Sequence, residues 1–199
     1  MKARGIFIVF EGIDGSGKSS CIRDVAEELS LQHEVIITAE PSEGPIGMML
    51  RDEKEKLPPM AESLLFVADR AHHTDQIKKW LKAGKIVFCD RYYASTLAYQ
   101  SSSLNGNSGE LDWLWEINRP VISEPDITFL FDVPPEIGLE RTGGRDQVSK
   151  FENREFLSRV RATYLDIAEE RGFVIIDARR KAIEVRLEVR EIIRKKLEV

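Results

Sequence analysis

Five short apolar runs rich in β-branched and aromatic residues recur along the chain: Ile6–Phe10, Val35–Ile37, Ile86–Cys89, Ile127–Phe131 and Phe173–Ile176. Between them apolar positions fall three and four residues apart, the spacing of an amphipathic helix. Cys21, Ile22, Val25, Ala26 and Leu29 follow it, as do Ile183, Leu187 and Ile192 with their neighbours near the end. A strand that is apolar on successive residues needs cover on both faces, and helices alternating with strands supply it. The pattern predicts an α/β fold, a three-layer α/β/α sandwich around a five-stranded parallel sheet.

Two polar stretches interrupt the alternation, SSSLNGNSGE (Ser101–Glu110) and TGGRDQVSKFEN (Thr142–Asn153), and both are loops by composition. Long loops inside compact domains are often lids or binding loops. The length, 199 residues, suits one domain with a full core, and no repeat or linker divides it. A formal net charge of −5 gives no general attraction to nucleic acid or to an anionic membrane, so neither is expected as a partner and any phosphate binding must be local. Ile6–Phe10 is too short for a membrane span or a secretory signal core, and a cytoplasmic protein is expected. Cys21 and Cys89 lack metal-ligand spacing and lie in core-facing segments, as buried free thiols would.

Gly12-Ile13-Asp14-Gly15-Ser16-Gly17-Lys18-Ser19 fits GxxxxGK[ST] with a buried strand before it and an amphipathic helix after it, the P-loop context. Glycines let successive backbone N–H groups turn toward phosphate oxygens, and the helix that begins near Lys18 aims its partly positive end at the same anion. Lys18 can reach the β and γ phosphates, and the Ser19 hydroxyl can ligate Mg²⁺. The guanine-reading NKxD tetrapeptide is absent, which weighs against a GTPase switch. Asp90, at the carboxyl end of the third apolar run, is a candidate to hold Mg²⁺ directly or through water, with Arg91 over the same crevice. An Asp-Arg pair is also a common surface ion pair.

Beside the P-loop segment FEGIDGSGKSS stand EPSEGPIGMMLR (Glu40–Arg51), LLFVADRAHH (Leu64–His73), DRYYASTLAYQ (Asp90–Gln100), FLFDVPPEIGLER (Phe129–Arg141) and FENREFLSRVRATYLDIA. In this order, nearly end to end, the chain resembles the thymidylate kinase family, P-loop enzymes that phosphorylate dTMP with Mg-ATP on the way to dTTP. The resemblance implies ATP and dTMP as substrates, Mg²⁺ as cofactor and a homodimer, whose seam the apolar helix faces between Pro59 and Gln100 could form. Gly12 to Ser20 would hold ATP, with Arg141 near the adenine, and Ser19 and Asp90 would hold the metal. Phe66 would stack on thymine and Arg70 would bond a base carbonyl. A flat apolar face plus a forked donor does suit a pyrimidine edge, although Phe66 among Leu64, Leu65 and Val67 would also serve as core. Asp14 would meet the sugar 3′-hydroxyl, and Tyr99 with Gln100 the acceptor sugar and base, the ring rejecting ribose at its 2′ position. Glu40, Arg51 and Arg91 complete the acceptor contacts. Ser95 either helps to read the base or caps a helix near Ala94.

A phosphate acceptor is largely dianionic near neutrality, its second pKa being about 6, so no strong general base is needed. Repulsion between two anions is the difficulty, and fixed cations and N–H groups must relieve it. Lys18 and Arg91 are the fixed part of that set. The lid at about 142–153 carries Arg145 and Lys150 beside Gly143 and Gly144, with Arg141 and Arg154 at its ends, and Arg145 is the expected catalytic cation. Some relatives carry an arginine inside the P-loop; here Gly15 follows Asp14, the lid-supplied type. Two departures stand out: Ala39 replaces the arginine of a TREP segment, a loss that Arg51 and Arg91 could compensate, and SSSLNGN replaces a basic glycine-rich segment. The alternatives are another nucleoside monophosphate or deoxynucleoside kinase, in which Glu11 or Glu40 could act as a base, and a nucleotide-binding regulator.

Overall fold

The computed structural model describes residues 4–52, 57–104, 108–142 and 154–198. Five strands, β1 (Phe7–Glu11), β2 (Val35–Ala39), β3 (Ile86–Asp90), β4 (Ile127–Asp132) and β5 (Val174–Asp177), pair in the order β2-β3-β1-β4-β5. Every pairing is parallel. β1, flanked on both sides, is wholly buried, and the Phe10 ring packs against Phe88, Phe129 and Phe131 of its neighbours at 5.2, 5.5 and 6.2 Å. All five predicted strands are present, each ending a residue or two beyond the apolar run, four of them on an acidic residue that stays in the strand.

Helices cover both faces. α1 (Lys18–Leu29) packs on α8 (Ala182–Leu197) on one side; α3 (Pro59–Lys82), α4 (Tyr93–Leu104), α5 (Ser108–Asn118) and α7 (Arg154–Arg171) form the other layer. Two short helices, α2 (Pro45–Arg51) and α6 (Pro135–Arg141), pack against α3 and α7 respectively. The chain leaves β1 toward the β2 edge and leaves β3 toward β4, so adjacent strands diverge at their carboxyl ends. That divergence opens the crevice in which α/β sheets bind ligands.

Three sequence expectations change. Ser101–Glu110 is mostly helix: α4 continues to Leu104 and α5 begins at Ser108. The Ser102 and Ser103 hydroxyls donate to the carbonyls of Ala98 and Tyr99 at 2.8 and 2.9 Å, which satisfies them inside the helix that their composition argued against. α8 buries Val185, Val189 and Ile193, whereas Ile183 and Leu187 are exposed; Arg186 and Arg190, the next residues along, reach Asp24 and Glu28 of α1 at 3.2 and 3.1 Å. α4 is sandwiched by α3, α5 and α7 and nearly all buried within the chain, so of the two helices expected at a seam it is α3 that leaves large apolar side chains, Met60 and Leu64, exposed. Cys21 and Cys89 are free and buried. Among the described residues no helix is long and apolar enough to cross a membrane. The proposed lid, apart from Thr142, lies outside the described residues.

Candidate active site

At the end of β1 the backbone enters left-handed territory three times, with φ of +143°, +76° and +90° at Gly12, Gly15 and Gly17. A Cβ on Gly12 would stand 2.7 Å from the Phe131 carbonyl oxygen, and one on Gly15 only 2.1 Å from that of Gly138. A Cβ on Gly17, which is exposed, would meet nothing within 4 Å. α1 starts at Lys18 with Gly17 as its N-cap and no side-chain cap, which leaves its first N–H groups for an anion. Among the described residues the buried Ser16 hydroxyl has no partner. Arg141 flanks the cradle, donating to the carbonyls of Ala178 at 2.9 Å and Gly15 at 3.4 Å. The motif's other members, Ile13 and Ser20, sit respectively in the core and on the exposed side of α1.

Lys18 Nζ lies nearly buried, 3.7 Å from Asp14 and 3.8 Å from Asp90. Burial, then the charge of Arg91, pulls its pKa below the usual lysine value against the attraction of both acids. Asp90 Oδ2 accepts the Ser19 hydroxyl, while its buried Oδ1 makes no hydrogen bond among the described residues. One hydroxyl and one carboxylate with a spare oxygen fit a Mg²⁺ that takes its other oxygens from phosphates and water. Among the described residues there is no cluster of three or more His, Cys, Asp or Glu that could hold a metal alone.

Across the crevice the β3–α4 turn aims Arg91. Its φ of +69°, costly for a side chain with a Cβ, is held from both sides. Its N–H donates to Phe10 O at 2.9 Å, and Glu11 clamps the start of α4, accepting from the backbone N–H of Tyr92 at 2.9 Å and Ser95 at 3.2 Å and from the Ser95 hydroxyl at 2.6 Å. Tyr164 from α7 closes the network, 2.7 Å from the Ser95 oxygen. Burial outweighs these donors and pushes the Glu11 pKa up. Arg91 in turn donates to Asp14 at 2.7 Å and lies over the Tyr99 ring, 5.0 Å from its centre. Burial alone would raise Asp14, but Arg91 and Lys18 outweigh it and hold Asp14 below the usual range.

From Arg91 a cleft of about 260 Å³ runs between α3 and α4, lined among others by Asp14, Glu40, Phe66, Arg70, Ser95, Tyr99 and Gln100. Phe66 and Arg70 are one helical turn apart on α3, on one face. The wholly buried Arg70 guanidinium forms the floor, donating to Glu40 at 2.6 Å, to Thr96 at 2.9 Å and to Asn118, while its Nε has no partner among the described residues. His73 holds the second oxygen of Glu40 at 3.1 Å. Gln100 donates its amide N–H to Glu62 at 2.6 Å.

The structure thus gathers Lys18, Ser19, Asp90 and Arg91 at the crevice and the acceptor candidates beside them, with one exception. Arg51 donates to the Pro41 carbonyl and lines a neighbouring cleft together with Ala39, His72 and Lys79, rather than the one that holds Phe66 and Arg70. Ser95 is the third residue of α4 and caps nothing with its side chain; Glu11 takes that place. Arg154 begins α7 and pairs with Glu136 at 2.6 Å, whereas Arg145 and Lys150 lie outside the described residues. Glu62, Thr96 and Asn118 enter the site unannounced, and Glu11, a candidate base in the alternative reading, is instead the clamp on the start of α4. Only Glu62, four residues before Phe66, left a signal in the sequence, its helical spacing.

A phosphate cradle at the end of the central strand, with a separate polar-aromatic cleft opening onto the same crevice, defines a P-loop protein of the kinase type. The thymidylate kinase family model matches residues 10–189. The chain is 42% identical to a probable thymidylate kinase of Methanosarcina barkeri, covering 94% of both proteins. It is 40% identical to a probable thymidylate kinase of Pyrobaculum calidifontis, over 94% of this chain and 95% of that protein. With a thymidylate kinase of Halothermothrix orenii it shares 39% identity over 94% of this chain and 95% of that one. The chain belongs to the thymidylate kinase family.

Proposed function

We propose that this chain transfers the γ-phosphoryl group of Mg-ATP to dTMP, forming dTDP and ADP. The observation that carries the reading is the junction of the two halves of the site through Asp14 and Arg91, joined at 2.7 Å: one belongs to the cradle, the other to the cleft. The cradle, Lys18 and the α1 N-terminus hold the β and γ phosphates of ATP, with Arg141 beside them. Ser19 and Asp90 hold Mg²⁺, which adds positive charge to the phosphate oxygens. Arg91 receives the acceptor phosphate, Asp14 the sugar hydroxyl, Tyr99 the deoxyribose face, and Phe66 with Arg70 and Gln100 the base, over the floor held by Glu40.

An oxygen of the acceptor phosphate attacks the γ-phosphorus, and the bond from that phosphorus to the β–γ bridging oxygen breaks, leaving ADP. No proton need be removed from a dianionic acceptor, so the side chains contribute charge and alignment. Lys18 has given up water and keeps only partial compensation from two acids, so a phosphate completes its surroundings. Arg145 is assigned the remaining charge on the strength of the resemblance, with the segment at 142–153 as the lid of one domain spanning 1–199. The same reading takes the protein as a cytoplasmic homodimer. Exposed apolar side chains at Ile37, Met48, Met49, Met60 and Leu64 support a seam on β2, α2 and α3.

ADP formation from Mg-ATP, followed separately with dTMP, dUMP, UMP, CMP, AMP, GMP and thymidine, tests the assignment. A dTMP preference of at least tenfold in kcat/KM is expected, since a site that hydrogen-bonds its substrate penalises mismatched groups by about that much or more. Preference for thymidine or for a purine nucleotide sinks it.

A further inference from the structure

We propose that Glu62 is a positioning residue that decides which pyrimidines the cleft accepts, by holding the Gln100 amide with its oxygen toward the ligand. The proposal rests on the dTMP reading above and extends it to a residue outside that assignment.

Glu62, Phe66 and Arg70 follow one another at four-residue spacing on α3, so they share a helix face, and all three line the cleft with Gln100. Gln100 approaches from α4, almost wholly buried, with Nε2 donating to Glu62 Oε2 at 2.6 Å. A carboxylate has no proton to donate, so it can be met only by the NH₂ end of the amide. That contact turns Oε1 the other way, and among the described residues Oε1 has no hydrogen-bond partner. The cleft therefore offers an acceptor, Gln100 Oε1, beside the donors of Arg70. A pyrimidine-2,4-dione presents the complement, an N3–H donor next to a carbonyl acceptor. Cytosine presents the reverse, a ring nitrogen acceptor next to an amino donor, and would leave Oε1 facing a lone pair.

Without the carboxylate the amide is free to turn over and offer its NH₂ to cytosine. Glu62→Gln keeps the shape but can either donate or accept, so it no longer selects one orientation. Titration calorimetry of dTMP and dCMP into the wild-type protein and into Glu62→Gln reads this without turnover. The Kd ratio between the two nucleotides is expected to fall by on the order of tenfold, the scale of one misplaced hydrogen bond. Glu62→Ala should do the same. In a Gln100→Leu background Glu62→Gln should change the ratio no further, because neighbours acting through one contact are not additive. A ratio within about threefold of wild type, a parallel loss for both nucleotides, or an undiminished effect in the Gln100→Leu background overturns the proposal, as does a wild-type protein with no preference for dTMP over dCMP. If wild type binds dTMP preferentially but transfers no phosphoryl group, the kinase reading fails, and Glu62 is still judged on the binding ratio.

Discussion

Gly15 and Gly17 stand two residues apart in the same loop and both adopt positive φ, yet they face different surroundings. An added methyl at Gly15 collides with the Gly138 carbonyl at 2.1 Å, so the loop or α6 must move; at Gly17 it meets no protein atom. The backbone penalty, roughly 1–2 kcal/mol for an L-residue in the left-handed region, is common to both. Gly17→Ala should therefore lose only about that much stability while weakening ATP binding at least tenfold, because Gly17 is the N-cap whose left-handed turn presents the first N–H groups of α1 to an anion. Gly15→Ala should lose about 3 kcal/mol or more in urea denaturation through the added clash. Equal stabilities for the two variants, or undiminished ATP affinity in Gly17→Ala, would contradict this division of roles.

Between elements, the contact that orients the chemistry is the one from the end of β1 to the start of α4. Glu11 is fully buried and gathers two backbone N–H groups and the Ser95 hydroxyl, which fixes the turn carrying Arg91. Burial raises its pKa above the ordinary carboxylate value of about 4.5. Below that value both folded and unfolded chains hold the proton. Between it and the raised folded pKa only the unfolded chain has released the proton, so the folded state binds more protons and stability falls as pH rises through that window. Glu11→Gln cannot ionise and lacks this slope. Wild-type stability relative to Glu11→Gln should decline when denaturation is repeated from pH 4 toward neutrality; a difference that grows instead would contradict it.

Over the whole molecule, the crevice exists because adjacent strands β1 and β3 send the chain in opposite directions. Its walls come from α1 on one side and α3 and α4 on the other, so a nucleotide bound there ties together parts joined otherwise through the sheet. A ligand present at 100 times its Kd stabilises the folded state by about 2.7 kcal/mol, or roughly 5–11 °C in Tm for a chain of this size. Thermal melts should rise by that amount with dTMP. With UMP at the same concentration they should rise much less, since its 2′-hydroxyl would meet the Tyr99 ring without a partner. Equal shifts would remove Tyr99 as the sugar reader.

Amino-acid order by itself determined the strands, the P-loop, the phosphate lysine and the family, because these depend on residues close together in the chain: apolar runs, glycine spacing and strand-to-helix context. Phe66 and Arg70 were legible as a pair for the same reason, one helical turn fixing their shared face. Tertiary structure decided what depends on partners distant in sequence. Glu11 became the clamp of α4 across 84 residues, and Asn118 joined Arg70 across 48. It moved Arg51 out of the cleft and turned Ile183 and Leu187 of α8 to solvent, because the stripe of Val185, Val189 and Ile193 is the one that packs. It also kept Ser101 to Leu104 helical, where composition had argued for a loop, since packing and local hydroxyl bonds outweighed weak propensity.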